Sequence, residues 1–213
     1  LVLAALAVSF FSCEDQIREF LGLDSAPAAE VTEGNVEFHF LDVGQGDAIL
    51  IRSSAGVVLV DTSTNDQEAR LKAYLDQLGI KTIDYAVFTH PDADHIGGAD
   101  MIMKTYDVKT VIMSGHTKTM KTYLSMITEI EASGAEVIIP TPGQKFSLGE
   151  LTMETLAPLK DYDDANEDSV VLRVDYGQTS VLLTGDAEKE SEADMVKQYR
   201  LSGKLDCDLL KVG

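Results

Sequence analysis

His90, Asp92, Asp94 and His95 place four metal-ligand side chains within six residues, inside the stretch IDYAVFTHPDADHIGG at 83–98. An apolar run from Ile83 to Phe88 reads as a buried strand that delivers the chain to His90. His90 and Asp92 are two apart, so an extended backbone sends both side chains to the same face. Asp94 and His95 then fall in the following turn, near the start of a helix, and Gly97-Gly98 follows. One short loop can feed two adjacent cations in this way. A pair of cations is hydrolytic machinery, because it lowers the pKa of water and steadies charge on a displaced oxygen. The plain alternative is a polar strand-to-helix turn with a helix cap, which has no need of four such ligands.

The elements on either side must hold that loop in place. VEFHFLD at 36–42 alternates as a strand does, with Val36, Phe38 and Phe40 on one face and Glu37 and His39 on the other. His39 reads as a packing or surface histidine. GQGD at 44–47 is a tight loop, followed by strands AILIRS and GVVLVDT that join through a hairpin turn at 53–56. Residues 65–79 form a helix with Leu71, Tyr74, Leu75 and Leu78 inward. Asn65 and Glu68 read as a capping-box variant, and Gly79 closes the element. Beyond the ligand cluster come a short helix at 99–106, a strand at 109–113 and a polar loop at 114–119 that holds His116. A longer helix follows, with Tyr123, Leu124, Ile127 and Ile130 as its apolar face, then a strand at 136–140. Residues 145–158 give two short strands turning at Gly149.

The run DYDDANED at 161–168 carries five acids and is expected outside the core. SVVLRVDYG and TSVLLTGDA pair through a turn at Gly177-Gln178, a helix spans about 188–200 with Ala193, Val196 and Tyr199 inward, and LDCDLLKVG at 205–213 is a last strand. This order predicts an α/β protein with two sheets face to face and helices outside. No glycine cluster joins a first strand to a helix, so a nucleotide phosphate loop is excluded.

With 213 residues and 45% apolar side chains, the chain supports one domain with a sizeable core. A net charge of −19 argues against a nucleic-acid binder that works through basic patches. It does not exclude a nuclease whose metal ions supply local positive charge. The opening LVLAALAVSFFS at 1–12 resembles the core of a secretory signal and is too short to span a bilayer. Ser12-Cys13 loosely resembles a lipoprotein signal, which points to a lipid anchor at Cys13. The expected division is a signal or lipoprotein-like segment at 1–13, an acidic linker at 14–34 with six acids and one arginine, and a hydrolase domain at 35–213. The expected location is the outside or cell surface of a bacterium. Two cysteines make no disulfide framework, and Cys207 reads as a core thiol.

FLDVGQGDAILI (40–51), LVDT (59–62), THPDADHIGG (89–98) and LLTGDAE (182–188) together resemble the metallo-beta-lactamase superfamily, in particular the hydrolase domain of the ComEC competence proteins and their free-standing secreted relatives. The resemblance implies a four-layer αββα sandwich. It implies two divalent metal ions, zinc or manganese, held by His90, Asp92, Asp94, His95 and Asp186, with Asp186 bridging them. The superfamily motif reads His-x-His-x-Asp-His. Here Asp92 replaces the second histidine, and the added carboxylate makes manganese a rival to zinc.

The family's next histidine is absent. Asn166, Asp168 and Ser169 occupy that region, with His116 as an alternative supplier from its loop. Asp42, Gln45 and Asp47 match the family's DVGQGD signature. Asp42, Asp47 and Asp61 would orient ligands from behind. Ser63 stands where the family has glycine. The family continues LKVG with HHGS, so the resemblance implies that the C-terminal part of the domain, with one more metal-binding histidine, is missing beyond Gly213.

The implied activity is hydrolysis by a metal-bridging hydroxide, with Asp94 as the residue that holds the nucleophile's proton. The implied substrate is a phosphodiester, DNA or a cell-wall polymer. The rivals are a cell-wall phosphodiesterase of the phosphorylcholine-esterase type and a non-catalytic surface binding protein with a vestigial metal site. No protein partner is expected, and contact with a membrane only through Cys13.

Overall fold

The computed structural model describes residues 30–213. The signal-like segment, Cys13 and most of the 14–34 linker lie outside the described residues. Strands β1 (Val36–Phe40), β2 (Ile49–Ser53), β3 (Gly56–Val60), β4 (Thr82–Phe88), β5 (Asp107–Met113) and β6 (Glu136–Ile138) form one sheet in that order. Strands β7 (Lys145–Leu148), β8 (Leu151–Ala157), β9 (Val171–Tyr176), β10 (Thr179–Leu183) and β11 (Leu209–Lys211) form a second, in the order β11-β10-β9-β8-β7. The helices are α1 (Glu68–Gln77, after a 3-10 turn at Asn65–Gln67), α2 (Ala93–Ile96), α3 (Ala99–Thr105), α4 (Lys121–Ser133) and α5 (Lys189–Tyr199).

Alternation along the strands builds the layers. Ile49, Ile51, Val58, Val60, Val87 and Ile112 point from the first sheet into a core shared with Met153, Leu172, Val174 and Leu183 of the second. The intervening Leu50, Leu59, Ala86 and Val111 point the other way, onto Leu71, Leu75, Ile102 and Met126 of the helices. Both faces of the central strands are therefore buried, which is why β2 to β5 read as near-continuous apolar runs. The third core lies under α5, where Met195 and Tyr199 pack on Leu156, Val171 and Leu182, with Cys207 partly buried against it. This is the expected four-layer αββα sandwich.

Four sequence expectations need correcting. The buried stripe of α4 is Tyr123, Met126 and Ile130, and Leu124 is 52% exposed. Met126 centres the apolar stripe one residue away from Leu124–Ile127. In α5 the buried residues are Ser191, Met195 and Tyr199, while Ala193 is exposed and Val196 is 54% exposed. Tyr199 donates its hydroxyl to the carbonyl of Leu156 (3.0 Å), which fixes the helix rotation.

The acidic run is also only partly outside the core. Tyr162, Ala165, Glu167 and Asp168 are buried. Glu167 accepts from the backbone N–H groups of Glu190 (2.9 Å) and Ser191 (2.7 Å), a carboxylate set where a helix start concentrates unpaired donors. The expected capping box is likewise absent. Asn65 donates its amide to Glu68 (3.2 Å) and to the carbonyl of Gly97 (2.7 Å), tying the start of the helical segment to the ligand loop.

Topology gathers the ligand residues. Strands β3, β4, β5 and β6 run parallel, so the segments after each of them emerge at one edge, as in other open α/β sheets. Asp61 follows β3, His90 follows β4 and His116 follows β5. β2 is antiparallel to β3, with Ile49 opposite Val60, which brings the 44–47 loop to the same edge. In the second sheet, Asp186 follows β10 and Ser169 precedes the antiparallel β9, so those two also meet.

Candidate metal centre

His90 is the second residue past β4 and is 1% exposed. Its Nδ1 lies 3.1 Å from Thr89 Oγ1, and that hydroxyl lies 2.6 Å from Asp61 Oδ2. An ionised carboxylate only accepts, so the Thr89 proton points to Asp61, and the hydroxyl oxygen accepts from His90 Nδ1–H. This leaves the lone pair of His90 on Nε2, and that buried atom has no hydrogen-bond partner. Burial, joined by the charge of His95, pushes His90 below the usual histidine range and keeps it neutral. A neutral, buried, unpartnered imidazole nitrogen is what a metal ligand requires.

His95 sits one turn on, in α2, with its ring centroid 4.1 Å from that of His90. Its Nδ1 lies 2.8 Å from Asp61 Oδ2 and its Nε2 lies 3.3 Å from Asp186 Oδ2. Burial alone draws His95 down, but the Asp186 and Asp61 carboxylates outweigh it and push the ring up to about 10. The hydrogen bond from His95 in turn holds Asp186 below the usual carboxylate range. Without a cation, His95 is therefore an imidazolium at neutral pH. Its folded pKa exceeds the ordinary 6.5. The stability it contributes is full below pH 6.5 and is lost as pH rises through about 10. Thermal melts of the chelator-treated chain are expected to fall steadily across that window.

Ligand atoms of His90, His95 and Asp186 all lie within 4.8 Å of one another, and those of Asp47, Asp61 and His95 form a second such group. The donor set fits a divalent cation. Two imidazoles and a carboxylate converge, and one imidazole nitrogen is bare. Asp61 is fully buried and accepts from Thr89 N–H (2.8 Å), the Thr89 hydroxyl and His95, so it is placed to orient His95 from behind. Asp61 and Ser63 both adopt positive φ, +56° and +58°. At Ser63 this is a conformation that glycine adopts more readily than serine, and the Ser63 hydroxyl donates to the carbonyl of Gln45 (3.1 Å).

The remaining sequence-predicted residues are placed as follows. Asp92 faces Lys118, which donates to it, and its charge acts on His90. Asp94 Oδ2 accepts from Gln45 Nε2 (2.9 Å). Gly46 packs so closely on Asp94 that a Cβ there would overlap its carbonyl, and the residue has φ +77°. Asp47 accepts from Lys211, and burial raises its pKa despite that ammonium. Ser169 Oγ lies 3.4 Å from His90 Nδ1 and accepts from the Asp186 N–H (3.2 Å). His116 Nδ1 lies 2.8 Å from Asp168 Oδ2. Asn166 donates to Glu188 (3.0 Å), and Asp42, 89% exposed, lies 3.9 Å from Arg70. Of the predicted ligands, His90, His95 and Asp186 converge, whereas Asp92 and Asp94 lie outside the two ligand groups found among the described residues, as do Asp42, His116, Asn166, Asp168 and Ser169.

Thr89, Lys118 and Lys211 were not singled out in the sequence. Thr89 adjoins His90 and was legible as part of the motif, whereas the two lysines carry no local signal. The Lys118 ammonium stands where a cation near Asp92 would act. Lys118→Met is expected to tighten metal retention by about fivefold, from the ~1 kcal/mol ceiling of a partly exposed ion pair, as measured by chelator competition.

A family model described as the metallo-beta-lactamase superfamily matches residues 41–205. ComE operon protein 3 of Bacillus subtilis (strain 168) is 28% identical over 201 residues, covering 85% of this chain and 25% of that protein. Recombination protein 2 of Haemophilus influenzae (strain ATCC 51907 / DSM 11121 / KW20 / Rd) is 32% identical over 179 residues, covering 81% and 20%. The chain thus spans a fifth to a quarter of these curated relatives. Among solved structures, Rm3 metallo-beta-lactamase superposes with a TM-score of 0.57 at 14% identity, covering 88% of this chain and 78% of that one. That likeness concerns the fold.

Proposed function

Because the chain belongs to the metallo-beta-lactamase superfamily, we propose that it is a metal-dependent hydrolase acting on phosphodiesters. The observation that carries this reading is the bare, buried Nε2 of His90 beside His95 and Asp186. In this reading His90, His95 and Asp186 hold the first cation, and Asp92 and Asp94 serve a second. Zinc and manganese are the two metals this nitrogen and carboxylate set favours. Divalent cations bound there would lower the pKa of water and withdraw charge from the phosphoryl oxygens.

The chain's own residues do the rest. Asp61 and Thr89 fix the two imidazoles. Asp94 keeps Oδ1 free of hydrogen bonds among the described residues while Gln45 holds Oδ2, so Oδ1 is available to hold a proton from the attacking water. Similarity to ComE operon protein 3 and Recombination protein 2 supports DNA as the substrate and a surface location. The net charge of −19 favours a second reading, a phosphodiester within a cell-wall polymer, whose units need not form a polyanionic track.

Metal analysis combined with turnover of bis-p-nitrophenyl phosphate, single-stranded DNA and nitrocefin decides between the classes. Phosphodiester turnover that disappears in His90→Ala is the expected result. Bound metal with no turnover of any ester would instead make the chain a binding protein.

A further inference from the structure

The segments after β5, β6 and β8 enclose a cavity of about 560 Å³, at the edge of the sandwich that carries the metal centre. Ser114 and His116 line both this cavity and a narrow void against His90, so the two regions share a wall. Pro140, Pro142 and Pro158 supply rigid apolar faces to the cavity. His116 supplies the directed polar group. Its Nδ1–H donates to Asp168 (2.8 Å), and Asp168 is buried and also accepts from the Tyr162 N–H (2.9 Å). Ser114 closes this frame by donating to the Asp168 carbonyl (2.9 Å) and accepting from the His116 N–H (3.2 Å). The imidazole is thereby held in one orientation, and its Nε2 makes no hydrogen bond among the described residues.

Charge decides what the cavity can take. Lys160 is paired with Asp194 (2.9 Å) and lies over the Tyr162 ring, and Asp168 is engaged with His116. Among the lining residues, that leaves the exposed Asp161 carboxylate without a paired cation. A second phosphate entering here would be repelled, whereas an uncharged group would not. The volume lies in the range of about 300–1,000 Å³ usual for small-molecule sites, enough for one monomer unit.

We propose that this cavity seats one uncharged, ring-sized arm of a phosphodiester, with Nε2 of His116 bonding that arm beside the metal centre. The inference rests on the hydrolase reading and narrows it to substrates with a neutral nucleoside- or sugar-sized arm next to the scissile phosphate.

The test compares kcat/KM for thymidine 5′-(p-nitrophenyl phosphate) and methyl p-nitrophenyl phosphate in the metal-loaded chain. The native chain should prefer the nucleoside diester by tenfold or more. Thr141→Trp, which fills the cavity from an exposed loop position, should reduce that preference about tenfold, chiefly through KM. His116→Gln should weaken it less than His116→Ala. A preference unchanged in Thr141→Trp would overturn the proposal. If neither diester is turned over, the hydrolase reading fails, and the subsite is judged by saturation-transfer NMR with thymidine. A signal that Thr141→Trp abolishes would sustain the subsite, and no signal in the native chain would overturn it.

Discussion

Asp186→Ala should yield a folded chain that no longer retains its cation and hydrolyses phosphodiesters at least about 10³-fold more slowly, a loss of roughly 4 kcal/mol in the barrier at 1.36 kcal/mol per decade. Folding should survive, because Asp186 is partly exposed and its backbone N–H still reaches Ser169. The metal should not, because Asp186 is the carboxylate that completes the ligand group of His90 and His95, opposite His95 Nε2. A readout independent of turnover is available. Asp186 is one of the two carboxylates that push His95 up to about 10, so the substitution should move the His95 titration down in the metal-free chain, as followed by NMR. Asp42→Ala is the matched control. Asp42 is exposed to solvent, belongs to neither ligand group and should change the rate by less than about twofold. Equal losses in the two variants would mean that Asp186 has no special place in the chemistry.

The contrast between Asp186 and Asp42 also marks how far the sequence could be read. The sandwich was legible because its central strands are buried on both faces, and such strands write themselves as apolar runs ending in turns. His90, Asp92, Asp94 and His95 were legible because a short loop had to hold them all. What could not be read was pairing across the edge of the sheets. Lys118 finds Asp92 from 26 residues away and Lys211 finds Asp47 from 164 residues away, and neither partner leaves a local mark. The acidic run misled for the same reason. Glu167 and Asp168 look solvent-bound in sequence, yet one finds the start of α5 and the other finds His116, which makes their burial tolerable. The rotations of α4 and α5 turned on single residues, Met126 and Met195, that a search for aliphatic stripes underweights.

Asp61→Ala is expected to be the most damaging single change to stability, about 3–5 kcal/mol, as measured by chemical denaturation of the metal-free chain. Asp61 has no exposed surface and accepts three hydrogen bonds, from Thr89 N–H, the Thr89 hydroxyl and His95. Removing it leaves a buried charged ring without its closest counter-ion, and two further donors unanswered. Any chain that still folds should also bind its cation about 10- to 100-fold more weakly, because nothing then fixes the His95 ring or the Thr89 hydroxyl that sets the His90 tautomer. Asp61→Asn separates the two effects. The amide preserves volume and can still accept from Thr89 N–H through its oxygen. Its NH₂ group, however, then faces both the Thr89 hydroxyl and His95 Nδ1 as a donor. Much of the stability should return while metal affinity stays low. If Asp61→Asn instead binds the cation as tightly as the native chain, the carboxylate would be an ordinary core contact, and the orientation of His90 and His95 must come from packing alone.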